Sequence, residues 1–152
     1  MKESAAIQPN IAARLLGFVC GAIGLANVYA LRLADADLWG HLRYGRYFVE
    51  SDFPPAADRF SYTAQGLTWH THEYLAQIIL WLVYATGGAP GLIILKVLAG
   101  GGALYFVYRA LRLVSADATV WAPVFILASF LLGRFVIFRP QLFTYLGMSV
   151  FV

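Results

Sequence analysis

Three long apolar runs dominate the chain and restrict what it can become. They cover roughly residues 11–33, 73–112 and 118–137, and the middle of the first, from Leu15 to Leu31, carries no charge. Of the 152 residues 61% are hydrophobic and only 12% charged, about half the charged share of an ordinary soluble domain. A chain this short cannot hide that much apolar surface from water, so its solvent is lipid. A helix needs about 20 residues to cross a bilayer core, and the runs predict about four to five crossings. The expected fold is all-α: a polytopic integral membrane protein forming one transmembrane domain over residues 1–152, with one extracytoplasmic loop at 34–72 that carries an amphipathic surface helix.

Breaks within the runs fix the expected elements. "GGAPG" at 87–91 splits the second run into helices at about 73–87 and 91–112, because glycine and proline end regular structure. "FRPQ" at 138–141 precedes a fifth helix starting near Pro140, where proline suits a first helical turn. Gly17 and Gly21 form a GxxxG pair with Gly24 close by, a pattern that lets another helix pack closely. The stretch "GMSVFV" ends within an apolar run, so the chain is expected to be the N-terminal part of something longer.

Lys2 and Arg14 precede the first run and favour a cytoplasmic N-terminus. A cleaved signal ending in "VYA" at 28–30 is the rival reading, opposed by the late Arg14 and the length of the run. Counting five crossings places Arg109 and Arg112 outside, Arg134 and Arg139 inside; only the second pair obeys the positive-inside rule. The net charge of +3 comes without a basic block, which speaks against nucleic acid as a partner. A lone cysteine, Cys20, rules out an internal disulfide and a cysteine-based zinc site.

Residues 34–72 hold most of the chain's acids and all three histidines, at 41, 70 and 72. Within "DADLWGHLRYGRYF", Asp35 and Asp37 form a D-x-D pair of hard oxygen donors, suited to Mg²⁺ or Mn²⁺. Asp37 equally suits the N-cap of a helix over about 37–50. On that helix Asp37 and His41 share a face, continued by Tyr44 and Phe48, and Trp39, Tyr44, Tyr47 and Phe48 are expected at the lipid interface. Arg43 and Arg46 lie on another side, either to clamp a phosphate bidentately or to snorkel toward headgroups. His70 and His72 share one side of an extended strand without a clear third metal ligand. With Glu73, His72 borders the next helix, where it either faces the site or simply marks the helix's polar start.

The order of these features resembles a known group. The stretches "DADLWGHLRYGRYFVESDFPPAADRFSYT", "TWHTHEYLAQIILWLVYATGG" and "YFVYRALRL" resemble the N-terminal half of bacterial GT-C glycosyltransferases. Protein mannosyltransferase-like and lipid A aminoarabinose transferase-like enzymes belong to that superfamily. "DADLWGHLR" is also similar to the D-P-W/Y-x-N/H-x-R stretch after the first membrane helix of oligosaccharyltransferase catalytic subunits. The resemblance implies an inner-membrane enzyme of the bacterial envelope that transfers sugar from a polyprenyl-phosphate donor to an extracytoplasmic acceptor. It implies a catalytic or metal-holding acid at Asp37 or Asp35 and places Arg43 at the donor phosphate, with His41, Arg46, His72 and Glu73 as further substrate-binding candidates. One departure stands out: "HTHEYLAQ" replaces the acidic-Pro-Pro entry to the second helix. The alternatives are a non-catalytic membrane protein binding lipid-linked glycan or a partner, and a transporter, for which Lys96 is the one strong mid-helix ionisable residue.

Overall fold

The structure is a computed structural model that describes residues 11–30, 35–51, 57–68 and 71–151. The expectations placed on Lys2 and His70 fall outside these residues, as do the side chains of 28–30. Five helices follow in order: α1 (Ile11–Ala30), α2 (Leu38–Glu50), α3 (Tyr74–Val114), α4 (Ala118–Phe135) and α5 (Gln141–Ser149). Among the described residues the only β pairing is an isolated bridge between Ala57 and Thr68. The all-α expectation therefore holds.

Two helices, α3 and α4, are long and apolar enough to cross a membrane, and α1 adds a shorter apolar stretch over Ile11–Asn27. Of the most apolar 18 residues of α3, only 11% are buried. Phe18, Leu98, Leu127 and Phe130 likewise point outward. Large apolar side chains exposed on all sides of a bundle mean that the bundle's surroundings are not expected to be water.

The break anticipated at 87–91 is present, and its shape matters. Gly88 sits at φ 57°, ψ −151°, a conformation open to glycine at little cost, and Pro90 lacks the N–H to continue the helix's hydrogen bonds. A β-carbon on Gly91 would lie 2.9 Å from the Val83 carbonyl oxygen, whereas eight residues of continuous helix would separate the two by about 12 Å. The chain doubles back, so α3 consists of a first arm, 74–87, and a second arm, 89–114.

The neighbours of the glycines give the direction of each helix. Along α1, Gly17 meets Trp121 and Gly24 meets Phe125 and Ser129, while Gly133 approaches Asn27; α1 and α4 run parallel. Gly17 also faces Tyr108, Gly24 faces Leu104 and Gly101 faces Leu25, so the second arm of α3 runs opposite to both. Beside that arm and in its direction runs α5, with Lys96 over the Phe138 ring and Leu146 against Gly102. Cys20, Ala99, Leu104, Trp121, Phe125 and Leu142 share the core between them.

A second cluster of Leu38, Leu42, Leu80, Leu92 and Phe138 builds the head of the bundle. There α2 lies against the first arm of α3, with Trp39 by Tyr84 (centroids 6.3 Å apart) and His41 by Gln77. Closest approach is at Gly45, where an added β-carbon would stand 2.0 Å from the Gln77 carbonyl oxygen. The buried face of α2 is Leu38, Leu42, Gly45 and Phe48, so the helix is amphipathic as expected, but its apolar face meets protein. Phe48 is core, and Tyr44 and Tyr47 pack on Phe60 with centroids 4.9 and 5.3 Å away; of the four aromatic residues expected at an interface, Trp39 is the exposed one.

This arrangement changes which runs extend along the bundle. Because the first arm of α3 starts and ends at the head, beside α2, it does not carry the chain to the opposite end. Arg139 therefore lies beside Asp35, at the same end. Arg112 stacks over Trp121 at 5.7 Å, one helix away from Gly17, so Arg14, Arg109 and Arg112 gather at the other end. The glycine pair also behaves differently from expectation: Gly17 and Gly24 pack within the chain, and Gly21 has nothing within 4 Å of its β position.

Candidate functional site

The site begins at the tight turn over residues 35–38 that opens α2. Asp35 accepts the Asp37 backbone N–H on Oδ1 at 3.0 Å, and its carbonyl accepts the Leu38 N–H at 3.0 Å. Such an Asx turn is a local alternative to helix hydrogen bonding and starts the helix from outside. Asp37 occupies the N-cap position but its side chain makes no capping bond. The capping role weighed for it belongs in part to Asp35.

Both carboxylates turn instead to Arg139. Its Nε donates to Asp35 Oδ2 and its Nη2 to Asp35 Oδ1 at 3.1 Å, a bidentate clasp, while Nη2 also reaches Asp37 Oδ2 at 2.8 Å. Arg139 is delivered by the short link between α4 and α5, where Arg139 N–H bonds the Ile137 carbonyl and Pro140 opens the last helix. Hydrogen bonding from Arg139, then from the Asp37 N–H, holds the Asp35 carboxyl below its ordinary range. The same bond raises the Arg139 guanidinium, so the pair is ionised at neutral pH. The Asp35 side chain is 13% exposed and that of Asp37 60%: the first is a fastening, the second presents oxygen to its surroundings.

One turn along α2, His41 Nδ1 stands 3.2 Å from Gln77 Nε2 and 3.9 Å from Glu73 Oε2. The exposed His72 places Nε2 3.9 Å from Glu73 Oε1, so Glu73 lies between two imidazoles. Gln77 Oε1 is buried without a hydrogen-bond partner. Beside Arg139 a cleft of about 510 Å³ opens between the first arm of α3 and α5, lined by His72, Glu73, Ala76, Pro140, Gln141 and Thr144 among others.

Of the residues singled out in the sequence, the fold gathers Asp35, Asp37, His41, His72 and Glu73 at the bundle head. It leaves out Arg43, which is exposed on α2, and Arg46, which donates to both Glu50 carboxylate oxygens at 2.9 Å and lies over the Trp81 ring at 5.5 Å. Arg139 and Gln77 are the additions. Nothing in the sequence singled out Arg139, which counting five crossings placed on the other side from Asp35.

The donor chemistry does not favour a divalent cation between Asp35 and Asp37. Arg139 already supplies positive charge to both, and among the described residues no three His, Cys, Asp or Glu side chains converge as a metal site. As arranged, the head can do two things: hold helix ends together through Asp35–Arg139, and present one oriented carboxylate beside a cleft. Comparison with protein-family models, with curated proteins and with solved structures finds no match for this chain.

Proposed function

We propose that the protein is a membrane glycosyltransferase of the GT-C type, transferring sugar from a polyprenyl-phosphate donor to an extracytoplasmic acceptor. The observation that supports it is the exposed Asp37 carboxylate, anchored by Arg139 at 2.8 Å at the bundle head. In this reading α1, the second arm of α3 and α4 are crossings and the nine-residue α5 starts a fourth, the lower end of the four to five expected. Arg14, Arg109 and Arg112 then lie in the cytoplasm and Asp37 outside the bacterial inner membrane, where Arg43, Arg46, Arg59 and Arg139 lie with it, against the positive-inside rule.

Asp37 is the general base: it accepts the proton of an acceptor hydroxyl as that oxygen bonds the anomeric carbon. The bond from that carbon to the phosphate oxygen breaks, the electron pair leaves with the polyprenyl phosphate, and the anomeric centre inverts. Arg139 positions Asp37 and is the cation nearest to the leaving phosphate, a role first assigned to Arg43. His72 and Glu73 line the cleft for the acceptor, with His41 behind Glu73, while Arg43 and Arg46 face headgroups from the outer side of α2. Mg²⁺ or Mn²⁺ would have to displace the guanidinium, and no step is routed through either.

The test uses membranes carrying the protein and polyprenyl phosphates bearing radiolabelled mannose, glucose or aminoarabinose. Transfer to an envelope fraction is expected from one donor, and Asp37→Ala should lower it about 10²-fold or more. Undiminished transfer in that variant sinks the proposal. The second reading, a non-catalytic protein, draws on the Asp35–Arg139 clasp, which needs no substrate to explain it. It predicts that no donor is used.

A further inference from the structure

A slot of about 440 Å³ runs along the outside of the bundle between α1 and the second arm of α3. Its floor is Gly21, whose β position has open space around it, and its sides include Phe18, Leu25, Leu104 and Tyr105. From Arg14 to Leu25, the α1 residues at its two ends, eleven helical residues span about 16 Å. An extended hydrocarbon chain fits.

The two ends of the slot differ. Toward the head it closes on Leu25 and Leu104, which are apolar. At the other end stands the exposed Arg14, and Arg109 follows Tyr105 by one turn on the same helix face, also exposed. An apolar slot with arginines at one mouth matches a molecule with one hydrocarbon tail in the bundle and a negative head at the membrane surface.

We infer that the slot is a binding site for an anionic phospholipid, one acyl chain lying over Gly21 and the phosphate at Arg14 and Arg109. Its occupant comes from the leaflet opposite Asp37. A polyprenyl-phosphate donor bound here would hold its phosphate at the wrong end for transfer, so this site is separate from the proposed catalytic one and depends only on the membrane placement. Ordering the lipid along α1 fixes α1 against α3 and so fixes the turn that carries Asp35.

Trp121 reports on the slot, because its ring lies 3.5 Å from the β position of Gly17, directly behind the wall. The full chain carrying Trp39→Phe, Trp69→Phe and Trp81→Phe is reconstituted in vesicles with either phosphatidylglycerol or phosphatidylcholine brominated on the acyl chain. Brominated phosphatidylglycerol is expected to quench Trp121 with on the order of fivefold tighter apparent binding, the preference one arginine near a membrane surface provides. Arg14→Gln should weaken the preference, and Arg14→Gln with Arg109→Gln should remove it, leaving quenching in place. Gly21→Leu, which meets no neighbour in the fold, should fill the slot and abolish the excess quenching. Equal quenching by the two lipids, or a Gly21→Leu variant quenched like the parent, overturns the proposal. So does displacement of the brominated lipid by polyprenyl phosphate but not by unlabelled phosphatidylglycerol.

Discussion

Arg139 holds Asp35 across 104 residues of sequence, with Nε on one carboxylate oxygen and Nη2 on the other. That contact joins the turn that opens α2 to the link between α4 and α5 at the bundle head. It fits the first arm of α3 lying beside α2 rather than running the length of the bundle.

The clasp predicts an acid-sensitive stability. The Asp35 carboxyl is held below its ordinary value of 3.8, so its contribution is fully present above that pH and disappears as pH falls through the lower folded value. Thermal unfolding in detergent should be flat near neutrality and weaken below about pH 3.8. Arg139→Gln should unfold at lower temperature at neutral pH and lose much of this acid limb. An acid limb of the same depth in both proteins would show that Asp35 and Arg139 are not paired in the folded state.

Gly45 offers a contrast with Gly40 on the same helix. An alanine at Gly45 would drive its β-carbon to 2.0 Å from the Gln77 carbonyl oxygen and 2.8 Å from Trp81 Cβ. Backbone cannot yield as a side-chain tip can, so Gly45→Ala should cost about 3 kcal/mol or more by forcing α2 off α3. Gly40→Ala meets only Tyr44 Cε2 at 3.9 Å and should be neutral or gain up to about 1 kcal/mol from helix propensity. Chemical unfolding of the two variants checks both signs.

Gly45 also marks the limit of what the chain discloses in one dimension. Gly88 and Pro90 were legible as a break because their backbone restrictions are local, and the starts and stops of α2 and α4 and the start of α5 followed from patterning in the same way. Hydropathy reports how long an apolar run is, not where it begins and ends in the bundle. The first arm of α3 reads as a crossing, and that one reading put Arg139 on the wrong side of Asp35. Gly45 and Gln77 are important only through each other, and nothing near either residue in sequence announces the partner. At the site, the acids and His41 were visible as chemistry, while the arginine that organises them looked like any basic residue next to a helix end.

Sidedness separates four crossings from five. With Cys20→Ala as background, single cysteines at Gly66, Gly87 and Leu113 are treated with a membrane-impermeant maleimide in intact cells. Gly66 lies in the loop, Gly87 at the turn between the two arms of α3, and Leu113 near the end of the second arm. Four crossings put Gly66 and Gly87 on the labelled side, and Leu113 reacts only after permeabilisation. Labelling of Leu113 with Gly87 protected until permeabilisation would mean that the first arm spans the membrane after all.

The final prediction separates the two acids. Asp37 is 60% exposed and caps nothing, so Asp37→Asn should leave the unfolding temperature near that of the parent. Asp35, 13% exposed, accepts from Arg139 twice and from the Asp37 N–H. In Asp35→Asn the amide keeps an acceptor for the turn but loses the charge and one arm of the clasp, so this protein should unfold earlier. Transfer activity should divide the other way once matched for folded protein: Asp37→Asn loses about 10²-fold or more, as expected when a general base is removed, and Asp35→Asn retains a larger share. Equal losses of stability and activity in both variants would make the pair one structural unit. A fully active Asp37→Asn would take the base role from Asp37 and leave the head of the bundle with the Asp35–Arg139 clasp alone.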